Sequence, residues 1–212
     1  LTDDVFRTAL LNTFIYGIGS TVIQQILGLL LALALDRGLR GRSALRAIYY
    51  LPVLVSPVIM GTMYYLLFQY NVGTLNDVVV ALGWQRQAWL SNSAVAIMII
   101  VVVNSLQFFG VSMIIYLAGL QGIPQMYHEA AMLDGASNWQ RFRHVTVPLL
   151  QPSFATSIVL NLIGGLKLFD VVQVMTGGGP GYSTNSVSTL IGKAYFDNQA
   201  AGYAAAMGVV LF

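Results

Sequence analysis

Between residues 8 and 35 not one side chain is charged. That run exceeds the ~20 apolar residues a helix needs to cross ~30 Å of hydrocarbon. A chain that enters lipid must satisfy its backbone internally, so only helices and closed barrels span it. Two further stretches, 47–76 and 87–127, are also free of charge. These lengths predict an all-α integral-membrane protein, a polytopic helical bundle. Composition agrees: 8% of residues are charged, against about 25% in soluble domains. A net charge of +2, with the basic residues in loops rather than on one face, gives no reason to expect a nucleic-acid partner. The absence of cysteine excludes a disulfide framework, a thiol nucleophile and a cysteine metal site.

Hydropathy and turn signals divide the chain into spans at about 9–35, 47–69, 93–119 and 153–174, with a fifth, 200–212, cut short. All of 1–212 reads as one transmembrane domain. The chain starts without methionine and stops inside an apolar run, so it reads as part of a longer protein, with a sixth helix expected before residue 1. No cleavable signal peptide is visible. Six of the ten Lys and Arg fall in two places: Arg37, Arg40, Arg42 and Arg46 after the first span, and Arg141 and Arg143 in the loop 121–152. Short basic loops mark the cytoplasmic side, and these two lie an even number of spans apart, so both point to the same topology. Tyr49, Tyr50, Tyr64, Tyr65 and Tyr70 sit near the ends of the second span as an aromatic belt would. Pro52 and Pro57 predict a kink in that span. Residues 70–92 read as an external loop with a short amphipathic helix, and 175–198 as a polar, glycine-rich external loop. Gly28 and Ala32 form a small-xxx-small step, open to close helix approach or to plain lipid contact.

The loop 121–152 is the most polar segment. Pro124 suits a helix start, Asp134-Gly135 a helix end, and Ser137 with Gln140 a capping box that restarts a helix until Pro148. Its order is Glu129, Ala130, Ala131, three residues, Gly135, nine residues, Val145, one residue, Val147 and Pro148. This resembles the EAA loop of binding-protein-dependent ABC importers, with valines where that family usually has Ile and Leu. The wording around Asp134 and Trp139 resembles the carbohydrate-uptake branch, the maltose-type sugar permeases. The resemblance implies a permease subunit in a bacterial or archaeal cytoplasmic membrane, forming the path for ATP-driven import of a sugar or related solute. It implies a second permease subunit, a non-identical paralogue, together with two cytoplasmic ATPase subunits and an extracytoplasmic solute-binding protein. Glu129, Ala130, Ala131, Asp134, Gly135 and Pro148 would form the ATPase-coupling loop. ATP and magnesium would be bound by the ATPase, leaving no cofactor in this chain.

The string from Thr176 to Gly181 evokes a phosphate loop but lacks the Gly-Lys-Ser/Thr that reaches phosphates. It resembles instead the external glycine-rich loop of the large sugar permeases, which follows a Phe-Asp pair, here Phe169-Asp170. Lys167 and Asp170 are ionisable groups at or near the membrane, costly unless paired or wet. Their spacing of three predicts a shared helix face and mutual pairing, near the outer mouth of a path. Asn104 and Gln107 share a face of the third span, and Asn161 lies in the fourth. Such amides serve either as interhelical hydrogen-bond partners or, beside Phe108, Phe109 and Phe169, as contacts for sugar hydroxyls. His128 and His144 lie too far apart for a local metal site, and no nucleophile–base arrangement is present, so the chain reads as no enzyme. The alternative is an ion-coupled secondary transporter or channel without an ATPase, disfavoured by the scarcity of intramembrane carboxylates.

Overall fold

The structure, a computed structural model, describes residues 4–36 and 41–211; Arg37 and Arg40 of the first basic loop lie outside them. Among the described residues all regular structure is helical: α1 (Asp4–Asp36), α2 (Arg42–Leu54), α3 (Pro57–Leu67), α4 (Thr74–Ala81), α5 (Ser93–Gln121) and α6 (Gln125–Leu133) come first. They are followed by α7 (Asn138–Arg141), α8 (Val147–Leu149), α9 (Gln151–Leu166), α10 (Asp170–Met175), α11 (Val187–Gly192) and α12 (Ala201–Leu211). α1 and α5 are each long and apolar enough to cross a membrane alone. The pair α2 and α3, and the stretch from α7 into α9, qualify as two further spans, each broken. α12 is a shorter apolar helix.

The breaks follow the prolines, though not where a simple kink would fall. Pro52 sits inside α2 without ending it. The helix stops two residues later and restarts at Pro57, with Ser56 extended at φ −54°, ψ 134°. The residue before a proline is driven out of the helical region, and proline itself suits a first turn. The expected kink is therefore a full interruption. Further along, the helix expected to end at Pro148 runs through it. A π-helical turn, Phe142–Thr146, precedes the proline, and Val147 N–H bonds to Phe142 O, five residues back. Leu150 interrupts the helix after α8, and the axes of 138–149 and 151–166 differ by 61°.

The chain divides into two compact units. One comprises the residues up to 20, then 55–107 and those from 162 onward. Its apolar core gathers Phe6, Ala9, Val187, Leu190, Ala204 and Met207. Beside this core the middle of the segment expected to be an external loop, 184–190, is largely buried and enters a helix, α11. Asn12 Nδ2 donates to the carbonyls of Ser183 (2.7 Å) and Asn185 (3.0 Å), and Tyr16 Oη donates to Thr184 O at 2.8 Å. Val187 N–H donates to Thr13 Oγ1 at 2.9 Å. Thr184, Asn185, Ser186 and Thr189 are all fully buried. Irregular backbone at membrane depth persists only where protein satisfies it, and α1 supplies those partners.

The other unit comprises 21–54 and 108–161. Its core is Ala32, Leu35, Met113, Tyr116, Leu120 and Leu150. Here Gly28 and Ala32 make a close helix contact rather than a lipid face: Ala32 is fully buried. A Cβ at Gly28 would lie 2.4 Å from Ser112 Cβ and 2.9 Å from Met113 N. Tyr116 Oη also bonds Gln25 Oε1 within this core.

Candidate functional site

The polar loop folds as a self-capped helix–turn–helix. α6 starts after Pro124, which stands at the cap position rather than in the first turn. Its end is a Schellman turn: Ala136 N–H bonds Ala131 O at 2.9 Å and Gly135 N–H bonds Met132 O at 3.0 Å. Gly135 sits at φ +76°, the left-handed conformation that this turn requires and that a Cβ penalises. The chain then restarts through a complete capping box. Gln140 N–H donates to Ser137 Oγ at 3.3 Å, while Ser137 N–H donates to Gln140 Oε1 at 2.7 Å. Arg141 reaches Asn138, and Trp139 stacks obliquely on Phe142 with ring centres 5.6 Å apart.

This pair satisfies its own backbone yet buries almost nothing. α6 and α7 contain no buried residue. Glu129, Ala130, Asp134, Gly135 and Pro148 are exposed, while Ala131 is half-buried. Leu133 is 90% exposed, with Met126, Met132 and Trp139 exposed near it. Ala131, Asp134, Gly135, Gln140, Arg141 and His144 surround a hollow of about 270 Å³. Two self-capped helices with an uncovered apolar surface are suited to insertion into a partner. No group of three or more His, Asp or Glu side chains placed to hold a metal ion occurs among the described residues.

The membrane candidates separate. Asn104 and Gln107 are buried on α5, and Gln107 Nε2 donates to Val55 O at 3.1 Å, a carbonyl freed by the α2/α3 interruption. The Gln107 Oε1 is buried without a hydrogen bond. Asn161 lies in the other unit, where Nδ2 donates to Ser112 Oγ at 2.6 Å. Lys167 and Asp170 do not share a helix face. α9 ends at Leu166 and α10 starts at Asp170, because the chain turns at 167–169 so that Leu168 O accepts from the buried Ser186 hydroxyl at 2.7 Å. Lys167 is exposed and Asp170 half-buried. The short helix expected within 70–92 is α4, Thr74–Ala81; what sequence reasoning missed is the side chain that ties the surrounding loop together. There Asn76 is fully buried and its amide bonds the carbonyls of Gln69, Tyr70 and Gln87. An asparagine in the first turn of a short helix, three residues beyond its glycine cap, was the available signal.

Apolar helical spans, two of them interrupted, and a self-capped helix pair left uncovered between them define a polytopic membrane subunit built to engage a partner. The sequence matches the family described as the binding-protein-dependent transport system inner membrane component over residues 24–212, and the chain belongs to that family. It is 36% identical over 204 residues to the trehalose/maltose transport system permease protein MalF of Thermococcus litoralis, covering 95% of this chain and 69% of that protein. It is 33% identical to the probable starch degradation products transport system permease protein AmyD of Thermoanaerobacterium thermosulfurigenes, covering 100% of this chain and 72% of that one. Among solved structures it superposes with a TM-score of 0.87, at 25% identity, on a chain of a bacterial ABC transporter involved in import of the acidic polysaccharide alginate. That match covers 99% of this chain and 74% of the other. These relatives are permeases of sugar ABC importers, and the all-helical fold is that of ABC importer permeases.

Proposed function

We propose that this chain lines the translocation path of an ATP-driven importer for a sugar or related solute, in the cytoplasmic membrane of a bacterium or archaeon. The observation that carries the reading is the α6–turn–α7 pair, closed by its own hydrogen bonds and uncovered on its apolar side. In this reading the pair docks in a cleft of a cytoplasmic ATPase, with Glu129 pairing a basic group there and the hollow beside Ala131 and His144 receiving a side chain. Two such ATPases, a paralogous second permease and an extracytoplasmic binding protein complete the assembly. ATP and magnesium stay with the ATPase, and this chain does no covalent chemistry. Closure of the ATPases moves the docked helices as rigid bodies, which is the kind of element that converts a site closure into rocking of spans. Within the membrane, Asn104, Gln107 and Asn161 would meet sugar hydroxyls. The buried, unpaired Oε1 of Gln107 supports this, because such an acceptor gains from a hydroxyl donor. Lys167 and Asp170 would stand near the outer mouth.

Gly135→Pro tests the docking. Proline cannot adopt φ +76° and lacks the N–H that closes the turn on Met132. The full-length wild type purified from its native membrane should carry an ATPase subunit, and the variant should lose it while still inserting. Absence of an ATPase from both preparations would sink the importer reading.

A further inference from the structure

Residues 69–91 build a second candidate site, remote in sequence from the docking pair. Tyr65, Phe68, Gln69, Tyr70, Asn71 and Trp89 line a hollow of about 300 Å³. A second hollow of about 340 Å³ shares Tyr65, Leu90 and Ser91 with it and reaches Thr176. Small-molecule clefts begin at roughly this size. The wall is held rigid. Trp89 Nε1–H donates to Asn76 Oδ1 at 3.0 Å, and Gln87 N–H donates to the same oxygen at 2.9 Å. Arg86 donates to Tyr70 O (3.0 Å) and Asn71 O (2.9 Å) and pairs with Asp77 at 2.7 Å. By contrast, the side chains of Gln69, Asn71 and Ser91 make no hydrogen bond among the described residues.

A tethered Trp89 ring beside further aromatics, unengaged amide and hydroxyl groups, and no charged lining residue suit one ligand chemistry. A neutral sugar ring offers apolar C–H faces to stack on aromatics and hydroxyls at its rim. A zwitterion or ion finds no counter-charge here, since both Arg86 and Asp77 are spent on each other and on the loop. We propose that this hollow is a carbohydrate-binding antechamber, in which a neutral sugar ring rests against Trp89 and Tyr65 and hydrogen-bonds Gln69, Asn71 and Ser91. It would hold the sugar before it reaches the buried amides. The inference rests on the sugar-import reading.

The test uses the full-length protein co-purified with its native partners in lipid nanodiscs, without binding protein. Maltose, arabinose and diacetylchitobiose are titrated by saturation-transfer NMR, and uptake into proteoliposomes, with the binding protein supplied, is run alongside. Trp89→Ala should weaken binding of the recognised sugar about tenfold, and Trp89→Phe, which keeps the ring, less than about threefold. Asn71→Ala, whose side chain holds nothing in the fold, should weaken it about fivefold. Unchanged sugar binding in Trp89→Ala and Asn71→Ala overturns the antechamber while leaving sugar import intact. It is equally overturned where the variants raise only the binding-protein concentration needed to stimulate ATP hydrolysis, which marks a protein-docking surface instead. Wild type that neither binds nor imports any of the three removes the sugar reading, and the antechamber with it.

Discussion

Gln107 stands at the point where proline opens the second span. Pro57 cannot donate a backbone hydrogen bond, so the preceding helix ends with free carbonyls. The Gln107 amide reaches one of them, Val55 O, at 3.1 Å from a fully buried position. Gln107→Leu keeps similar bulk but removes that carbonyl's hydrogen bond, which costs about 1 kcal/mol. Thermal unfolding in detergent should show a lower midpoint for this variant. Equal midpoints for wild type and Gln107→Leu would mean the contact contributes nothing. From the sequence, an amide in a charge-free run marks a site of interest. Its partner lies 52 positions away and is selected by packing, which no local pattern encodes.

At the scale of elements, signals that act within a few residues were legible. Asp134-Gly135 and Ser137-Asn138-Trp139-Gln140 specify a helix end and a helix start by backbone geometry alone, and the structure has both. Elements that depend on distant partners were not legible. Residues 175–198 look like a loop because small and polar residues dominate, yet 184–187 at their centre are buried, where Asn12, Thr13 and Tyr16 satisfy the backbone. The passage of the helix through Pro148 likewise depends on a π turn that has no composition of its own. The capping box gives an element-scale prediction. Ser137→Ala removes one of its two bonds and should cost about 1 kcal/mol of local helix stability. Since the spans are untouched, the loss should appear as faster hydrogen exchange over 137–142 and a partial drop in ATPase co-purification, smaller than for Gly135→Pro. Exchange rates there identical to wild type would show that packing, rather than the cap, holds α7.

For the whole molecule, the strongest commitment is the orientation of the chain across the bilayer. α5 runs 29 residues, roughly 43 Å at 1.5 Å per residue, which exceeds the ~30 Å of hydrocarbon even when tilted. Its two ends therefore belong to opposite faces. The charge distribution says which is which: Arg141 and Arg143 follow its C-terminal end, and Arg42 and Arg46 stand at the start of α2, one broken span from the loop that precedes α5. Lys and Arg in short loops stay inside, which predicts Gln121 on the cytoplasmic side and Leu82 outside. Residues 1–212 contain no cysteine, so within them a single replacement is the one labelling site. Both positions are exposed, Leu82 at 70%. A membrane-impermeant maleimide should label Leu82→Cys on intact cells and Gln121→Cys only in inverted vesicles. Labelling of both from one side would mean that α5 does not cross. Labelling with the sides exchanged would turn the α6–α7 pair away from any cytoplasmic ATPase, and the coupling role would fail with it.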